Sequence, residues 1–388
     1  MYEYRKNGFF AQATGKMESL CEEELIELGA AETKTTYKGI FFKADIPTLY
    51  KINYTSRLLS RVLAPLITFP CHATNTLTQK AKKIHWEDFC SIKKTFAISA
   101  SVSKSKITNS LYASQCLKDG IADYFREKYG KRPNVEVVNP DVRFNLHIDK
   151  DTAVISLDTS GESLHKRGYR LLAGEAPMQE TLAAAIIRLS EWEGENMLWD
   201  AMCGSGTILC EALMHYCRIP AQKLRKKFGF YNMPEFDRNE WNKVKEKCDN
   251  KIRSLPKNII RGSDKSQMAI EVARENLSHL PYSDSVDLTC NPFQQVKEFE
   301  NGTIIANPPY GMRLGEFEEM QMLYKEFGDF LKTNCKGTSA FIYTGNPELR
   351  KSIGLKTTRR IHLDNGKLEG VLLQIDSYEG SRKKRFTD

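Results

Sequence analysis

The sequence predicts an α/β chain whose C-terminal half forms one continuous parallel sheet flanked by helices, preceded by two smaller α+β units. Three observations lead there. In the C-terminal half, short apolar runs alternate with amphipathic stretches. Each run ends on residues suited to binding, in the order glycine turn, acid, amide and Asn307-Pro308-Pro309-Tyr310. The charge is also uneven: residues 33–160 hold 20 Lys and Arg against 11 Asp and Glu, so the rest of a chain of net charge +8 sums to −1. A basic N-terminal segment of that kind is the footprint of a nucleic-acid-binding module, a solvated basic surface being the alternative.

Phe9 to Ala13 reads as a strand, and Met17 to Leu28 as an amphipathic helix stopped by Gly29. Thr33 to Ala44 alternates like a hairpin with its bend at Gly39, and Ile46-Pro47 opens a helix reaching about Ser56. A second unit follows: a strand (Leu58 to Phe69), a helix (Thr76 to Ile84), a strand (Phe96 to Ser103) and a long helix (Ser110 to Tyr129). A final hairpin is expected from Val135 to Asn139 and Phe144 to Leu157, with a turn at Asp149-Lys150-Asp151. Lys80, Lys82, Lys83, Lys93, Lys94, Lys104, Lys106, Lys131, Arg132 and Arg143 are interleaved through it. Asp158 to Arg170 reads as a polar linker, and Ala176-Pro177-Met178 opens an apolar helix, Leu182 to Ser190.

Composition narrows the chemistry. No apolar run approaches the ~20 residues of a membrane span, and the N-terminus lacks a signal-peptide core, so a cytoplasmic protein is expected. The ten cysteines include no C-x-x-C pair, which suggests neither a zinc site nor a redox dithiol. Cys210 and Cys217 read as packing on one helix face.

The first C-terminal strand ends at Asp200 and runs through Ala201-Met202 into Cys203-Gly204-Ser205-Gly206-Thr207, followed by a helix from Ile208 to Tyr216. A strand, a glycine turn and a helix N-terminus let backbone N–H groups approach a ligand closely. No lysine follows Gly206, which argues against a phosphate-binding P-loop. Leu209 stands where a dinucleotide fingerprint has its third glycine. The second strand (Asn258 to Asp264) ends on an acid placed to accept hydrogen bonds from ribose hydroxyls; capping the helix Gln267 to Leu277 is the alternative. The third (Val286 to Cys290) ends at Asn291-Pro292-Phe293, and the fourth (Gly302 to Ala306) delivers Asn307 to Tyr310. Two prolines hold a rigid extended backbone there, presenting an amide, a carbonyl and an aromatic ring. Those parts can grip an exocyclic amine and stack on its base, although a proline-rich loop would account for the composition. Helix Glu318 to Asn334, strand Ser339 to Thr344 and Val371 to Ser377 complete the sheet. An insertion, Gln222 to Asn250, sets Lys223, Arg225, Lys226 and Lys227 beside Phe228, Phe230, Tyr231 and Trp241, which suits either RNA contact or a small apolar face. The basic run Arg382 to Arg385 adds phosphate attraction.

Asn307-Pro308-Pro309-Tyr310 resembles the catalytic motif of amino-methyltransferases. Asp200 with Cys203-Gly204-Ser205-Gly206-Thr207 resembles the S-adenosylmethionine motif of Rossmann-like class I methyltransferases. The N-terminal element order resembles a THUMP RNA-binding domain (57–160) preceded by a ferredoxin-like domain (1–56). Leu164-His165-Lys166-Arg167-Gly168-Tyr169-Arg170 and Ala176-Pro177 look like the junction into the methyltransferase domain (161–388) of bacterial THUMP-containing enzymes that methylate guanine N2 in 23S ribosomal RNA. The resemblance implies S-adenosylmethionine as cofactor and ribosomal RNA, or a large-subunit precursor, as partner, with neither metal nor membrane. It implies cofactor contacts from Asp200, Cys203, Gly204, Ser205, Gly206, Thr207, Asp264, Asn291, Phe293 and Asn307, and catalysis by Asn307, Pro308, Pro309 and Tyr310. Asn291 departs from the acid often found at its position. A transfer RNA guanine, an adenine N6, or a non-catalytic RNA-binding assembly factor are the rival readings. Some relatives carry a second methyltransferase domain; with the sequence ending at Asp388, any second activity is expected from another protein.

Overall fold

The computed structural model describes residues 1–170, 178–311 and 317–377. Ala176-Pro177 and the basic run 382–385 lie outside them. The chain folds as two compact units, the first comprising residues 1–13, 18–164 and 225–248, the second residues 14–17, 165–224 and 249 onward.

Unit 1 begins with α1 (Tyr4–Asn7), β1 (Phe9–Gln12), α2 (Glu18–Leu28), β2 (Ala31–Thr36), β3 (Gly39–Lys43) and α3 (Ile46–Thr55). It continues with β4 (Arg61–Pro70), α4 (Thr74–Ala81), β5 (Thr95–Ser103), α5 (Ser110–Tyr129), β6 (Asn134–Val135), β7 (Val142–Asp149) and β8 (Thr152–Asp158). One eight-stranded sheet runs through it in the order β2-β3-β1-β4-β8-β7-β5-β6. Because β1 pairs antiparallel with both β3 and β4, the two small units expected from the sequence share a single sheet. Local chemistry fixes the helix ends: Asp45 accepts the Thr48 N–H at 2.8 Å to start α3, Asn109 accepts the Tyr112 N–H at 3.0 Å to start α5, and Gly130 at φ +67° closes α5.

Three expectations need correcting. The first hairpin turns at Tyr37-Lys38, with Lys38 at φ 60°, and Gly39 already belongs to β3. Val135 to Asn139 is not a hairpin arm; β6 is two residues long and parallel to β5. The valines that suggested a strand, Val137 and Val138, are 71% and 87% exposed. The polar linker is also mostly buried. Asp158 pairs with Arg61 and accepts the Ser160 and Gly161 N–H groups, Thr159 and Ser160 bond Asn53, and Arg167 and Glu211 meet with both side chains fully buried.

Unit 2 takes up the chain with α6 (Glu180–Ser190), β9 (Leu198–Asp200) and α7 (Thr207–Tyr216). The chain then returns to unit 1 for residues 225–248, which include most of α8 (Arg238–Asp249). That return decides between the two readings of the insertion. Phe228, Phe230 and Trp241 are buried and pack with Tyr50 and Tyr54 of α3, at ring separations of 4.6 Å (Tyr50–Phe230) and 5.3 Å (Tyr54–Trp241). Three of the four basic residues are engaged too: Arg225 donates to the carbonyls of Ser160, Glu162 and Ser163, Lys227 pairs with Asp141 and Lys223 with Asp249, while Lys226 is exposed. Phe228, Phe230 and Trp241 are core, and their faces are not open to bases.

The remainder of unit 2 is β10 (Ile260–Asp264), α9 (Gln267–Ser278), β11 (Asp287–Cys290), β12 (Thr303–Ala306), α10 (Phe317–Asn334), β13 (Ser339–Thr344), β14 (Arg359–His362) and β15 (Val371–Asp376). The sheet order is β11-β10-β9-β12-β13-β15-β14. Its first five strands are parallel, but β15 runs antiparallel to β13 and β14, so the sheet is mixed where a wholly parallel one was expected. β14 went unpredicted because an edge strand reading Arg-Arg-Ile-His shows no apolar alternation. Trp199, Ile304, Phe327, Phe330, Ile342 and Leu373 fill the core on one face.

Candidate active site

The four strands at one side of the unit 2 sheet end side by side, in the order β11, β10, β9, β12. Residues far apart in sequence therefore meet at their carboxyl ends, where open α/β sheets bind ligands.

The glycine turn is built from both sides. Cys203 N–H donates to the Ser263 carbonyl at 3.0 Å, and Gly204 N–H donates to Asp264 Oδ2 at 3.0 Å. Asn276 on α9 holds the Ser205 carbonyl at 3.0 Å. Gly206, at φ +77°, caps α7. A Cβ on it would lie 3.0 Å from that of Ala273, whereas a Cβ on Gly204, at φ +50°, would meet nothing within 4 Å. One glycine thus serves packing, and the other leaves an open cradle in front of the turn. Thr207 begins α7, and its hydroxyl accepts from Arg170 at 2.7 Å; Arg170 also lies 3.5 Å from Glu180 at the start of α6. Nothing in the local sequence marked Arg170, Glu180 or Asn276 as supports of this turn.

Asp200 closes β9 and is 1% exposed. Among the described residues it accepts one long bond, from Met202 N–H at 3.3 Å, and burial pushes its carboxyl well above the usual carboxylate range, with Asp264 adding to the push. Burial likewise raises the Cys203 thiol, which is poorly suited to act as a nucleophile. Asp264 spans two backbone donors, Gly204 N–H and Ser266 N–H at 2.9 Å, and each oxygen keeps a second lone pair. Asn291 stands half-buried after β11. Phe293 is placed differently from expectation. It is 2% exposed and packs edge-on against Phe327 at 4.9 Å and Phe330 at 5.5 Å, so the structure puts it in the core, away from the ligand surface.

Past β12, Asn307 is half-buried, Pro308 buried, Pro309 exposed and Tyr310 half-buried. The Tyr310 hydroxyl donates to Asn307 Oδ1 at 3.0 Å. Its ring stands at 76° to Tyr343, 6.5 Å away, over Gly345, where a Cβ would approach Tyr310 Cε2 to 3.0 Å. Among the described residues no group of His, Cys, Asp and Glu could hold a metal, and no helix is long and apolar enough to cross a membrane.

Residues 167–374 match the RMKL-like methyltransferase domain. The chain belongs to that family. Upstream, residues 8–63 match the RlmL ferredoxin-like domain and residues 72–158 the THUMP domain. Among relatives, slr0064 of Synechocystis sp. is 34% identical over 95% of this chain and 97% of its own. The ribosomal RNA large subunit methyltransferase K/L of Syntrophotalea carbinolica is 37% identical over 96% of this chain and 54% of its own, and that of Methylococcus capsulatus 36% over 95% and 51%. This RMKL-like chain thus spans about half the length of the K/L relatives it matches. Among solved structures, SMU.472 in complex with SAH superposes with a TM-score of 0.83 at 30% identity, covering 96% of this chain and 98% of that one. A protein from Clostridium difficile 630 gives 0.84 at 31%, covering 96% and 99%. The RMKL-like domain is a methyltransferase, and the mixed sheet with its glycine turn and Asn307-Pro308-Pro309-Tyr310 is its class I fold.

Proposed function

We propose that this chain transfers a methyl group to the exocyclic N2 of a guanine in 23S ribosomal RNA, or in a large-subunit precursor containing it, in the cytoplasm. The observation that carries the reading is the pairing of β12 with β9, which sets Asn307 to Tyr310 beside the glycine turn. K/L relatives over most of this chain support ribosomal RNA as the substrate.

The cofactor is S-adenosylmethionine, and the residues present fit it. The open cradle at Gly204 admits a chain-like group. Asp200, with a single long hydrogen bond in a buried place, is an acid in want of a cationic neighbour such as the methionine part of the cofactor. Asp264 retains the lone pairs a ribose would use. The cofactor supplies an electrophilic methyl on a positively charged sulfur, and the chain's own groups hold and orient the amine that receives it.

A guanine amine is a poor nucleophile because its lone pair is delocalised into the ring. Asn307 Oδ1 and the Pro308 carbonyl accept its two hydrogens, which turns the lone pair out of the ring plane and orients it for attack. In the structure that Asn307 oxygen is engaged by the Tyr310 hydroxyl, so an entering amine takes the hydroxyl's place. The Tyr310 ring then stacks on the extruded base, offsetting an unstacking cost of a few kcal/mol. Among the described residues, the side chains of Lys83, Lys93, Lys104, Lys106, Lys131 and Arg132 in the THUMP region are in no ion pair and remain available to phosphates.

The test is methyl transfer from labelled S-adenosylmethionine to total RNA lacking the modification, with nucleoside analysis of separated RNAs. N2-methylguanosine in 23S RNA is expected. Label in transfer RNA or in N6-methyladenosine would overturn the substrate and keep the chemistry. Absence of label from both naked RNA and precursor particles, despite cofactor binding, would overturn the activity.

A further inference from the structure

Away from the cofactor crevice, unit 2 carries two adjoining hollows of about 400 and 780 Å³ that share Leu355 and Thr357. Their floor is apolar, with Leu331, Cys335, Ala340 and Ile375, but their rims are basic. Lys332 and Lys336 come from the end of α10 and the turn after it, Arg350 and Lys351 from the turn preceding β14, Lys356 from the segment between, and Arg360 from β14. Against these six cations stands one acid, Asp376, whose Oδ1 already accepts from Ser339 Oγ at 2.9 Å and Gln374 Nε2 at 3.2 Å. Arg360 donates its Nε to Thr357 Oγ1 at 2.7 Å, which orients the guanidinium while its terminal nitrogens bond no described residue. None of the six is in an ion pair with a described residue.

Two structural duties account for part of this charge. Lys332 lies in the last turn of α10, where a cation complements the helix dipole, and Arg360 lies on an edge strand, where charge discourages strand addition. Arg350 and Lys351 close a five-residue 3-10 turn, too short for much of a dipole; neither duty explains Lys356 or Lys336, and uncompensated like charges around one concavity repel one another. We propose that this groove is a second RNA-contact site that tracks backbone phosphates of the substrate at a distance from the reacting base. This rests on RNA being the substrate. The groove opens at the starting end of β13, the opposite end from the carboxyl edge of the sheet where Asn307 lies. The five steps from Ser339 to Thr344, at roughly 3.3 Å each, separate the two ends by about 17 Å. A polymer can engage both places together, whereas one nucleotide cannot.

The test uses the full chain with two exposed charge-reversal pairs, Lys332→Glu/Lys336→Glu and Lys351→Glu/Arg360→Glu, and large-subunit RNA lacking the modification. Each pair is expected to reduce the slope of log Kd against log salt between 50 and 200 mM by about 1 to 2, the loss of two phosphate contacts. KM for RNA should rise about tenfold, while kcat and the Kd for S-adenosylmethionine hold within about twofold. The neutral pairs with Gln should show the same direction with a smaller effect and guard against misfolding. Unchanged slope and KM in both reversal pairs would overturn the groove. Because the slope is read from binding, it tests the groove even if the chain methylates a different RNA, and that failure would appear in the wild-type product.

Discussion

Tyr310→Phe removes one oxygen and leaves the ring, and the structure says what that oxygen does. It donates to Asn307 Oδ1 at 3.0 Å, the acceptor proposed for the substrate amine. A hydrogen bond of this kind is worth about 0.5–1.5 kcal/mol net, which corresponds to roughly 2- to 13-fold in an equilibrium. In wild type the entering amine must displace it; in the phenylalanine variant the oxygen is already free. KM for RNA should therefore fall by about 2- to 10-fold, with kcat held within about twofold, because ring stacking and both acceptors persist. Steady-state methylation at saturating cofactor and varied RNA separates the two constants. Burial raises the Tyr310 hydroxyl above its ordinary pKa, so it stays protonated and donating through neutral and mildly alkaline pH. The two proteins should accordingly share one pH profile from neutrality to about pH 9, below the ordinary tyrosine range. A tenfold or greater loss of kcat with unchanged KM would refute the reasoning and make the hydroxyl part of the reacting arrangement.

Asn307→Ala should lower kcat by about 10²–10³ with nearly normal cofactor affinity by calorimetry; normal turnover would remove Asn307 from the chemistry. Gly204→Ala and Gly206→Ala should part company in thermal melts and cofactor titrations. The first, facing open space, should weaken cofactor binding at a stability cost of about 1 kcal/mol, while the second, pressed on Ala273, should cost more stability. Asp200→Asn should raise the Tm of the cofactor-free protein at neutral pH while weakening cofactor binding. The raised carboxyl pKa means wild-type stability declines as pH rises from the ordinary carboxylate range through the folded-state value, and the amide does not titrate. The Tm difference should shrink as pH falls through about 4, where the carboxyl of the unfolded chain also takes up its proton.

What could be read in the sequence was whatever one strand and its following turn decide alone. Asp200, the glycines, Asp264 and Asn307 to Tyr310 each sit at a strand end, so periodicity placed them before any tertiary contact was known. Phe293 was misplaced because a ring one residue past such an end can turn to the ligand or to the core, and the choice belongs to Phe327 and Phe330 on α10. Arg170, Glu180 and Asn276 were invisible for the same reason: each supports the glycine turn from another element. Arg167 lay within what read as a polar linker, yet it is buried against Glu211 of α7, since burial of a charge is a property of its partner and surroundings.

The return of residues 225–248 to unit 1 reaches beyond packing. A ribosome making this chain has completed every strand of the first unit by Asp158, yet Tyr50 and Tyr54 still lack Phe228, Phe230 and Trp241. Roughly seventy to eighty more residues must be synthesised before that aromatic cluster can close, a delay of several seconds at ordinary elongation rates. Until then an apolar face stands open to chaperones and to neighbouring chains. The two units are consequently not beads to be cut apart or shuffled by recombination at Leu164: a fragment ending there would be an unfinished protein, and inheritance of the RNA-binding part requires the first stretch of the methyltransferase part with it.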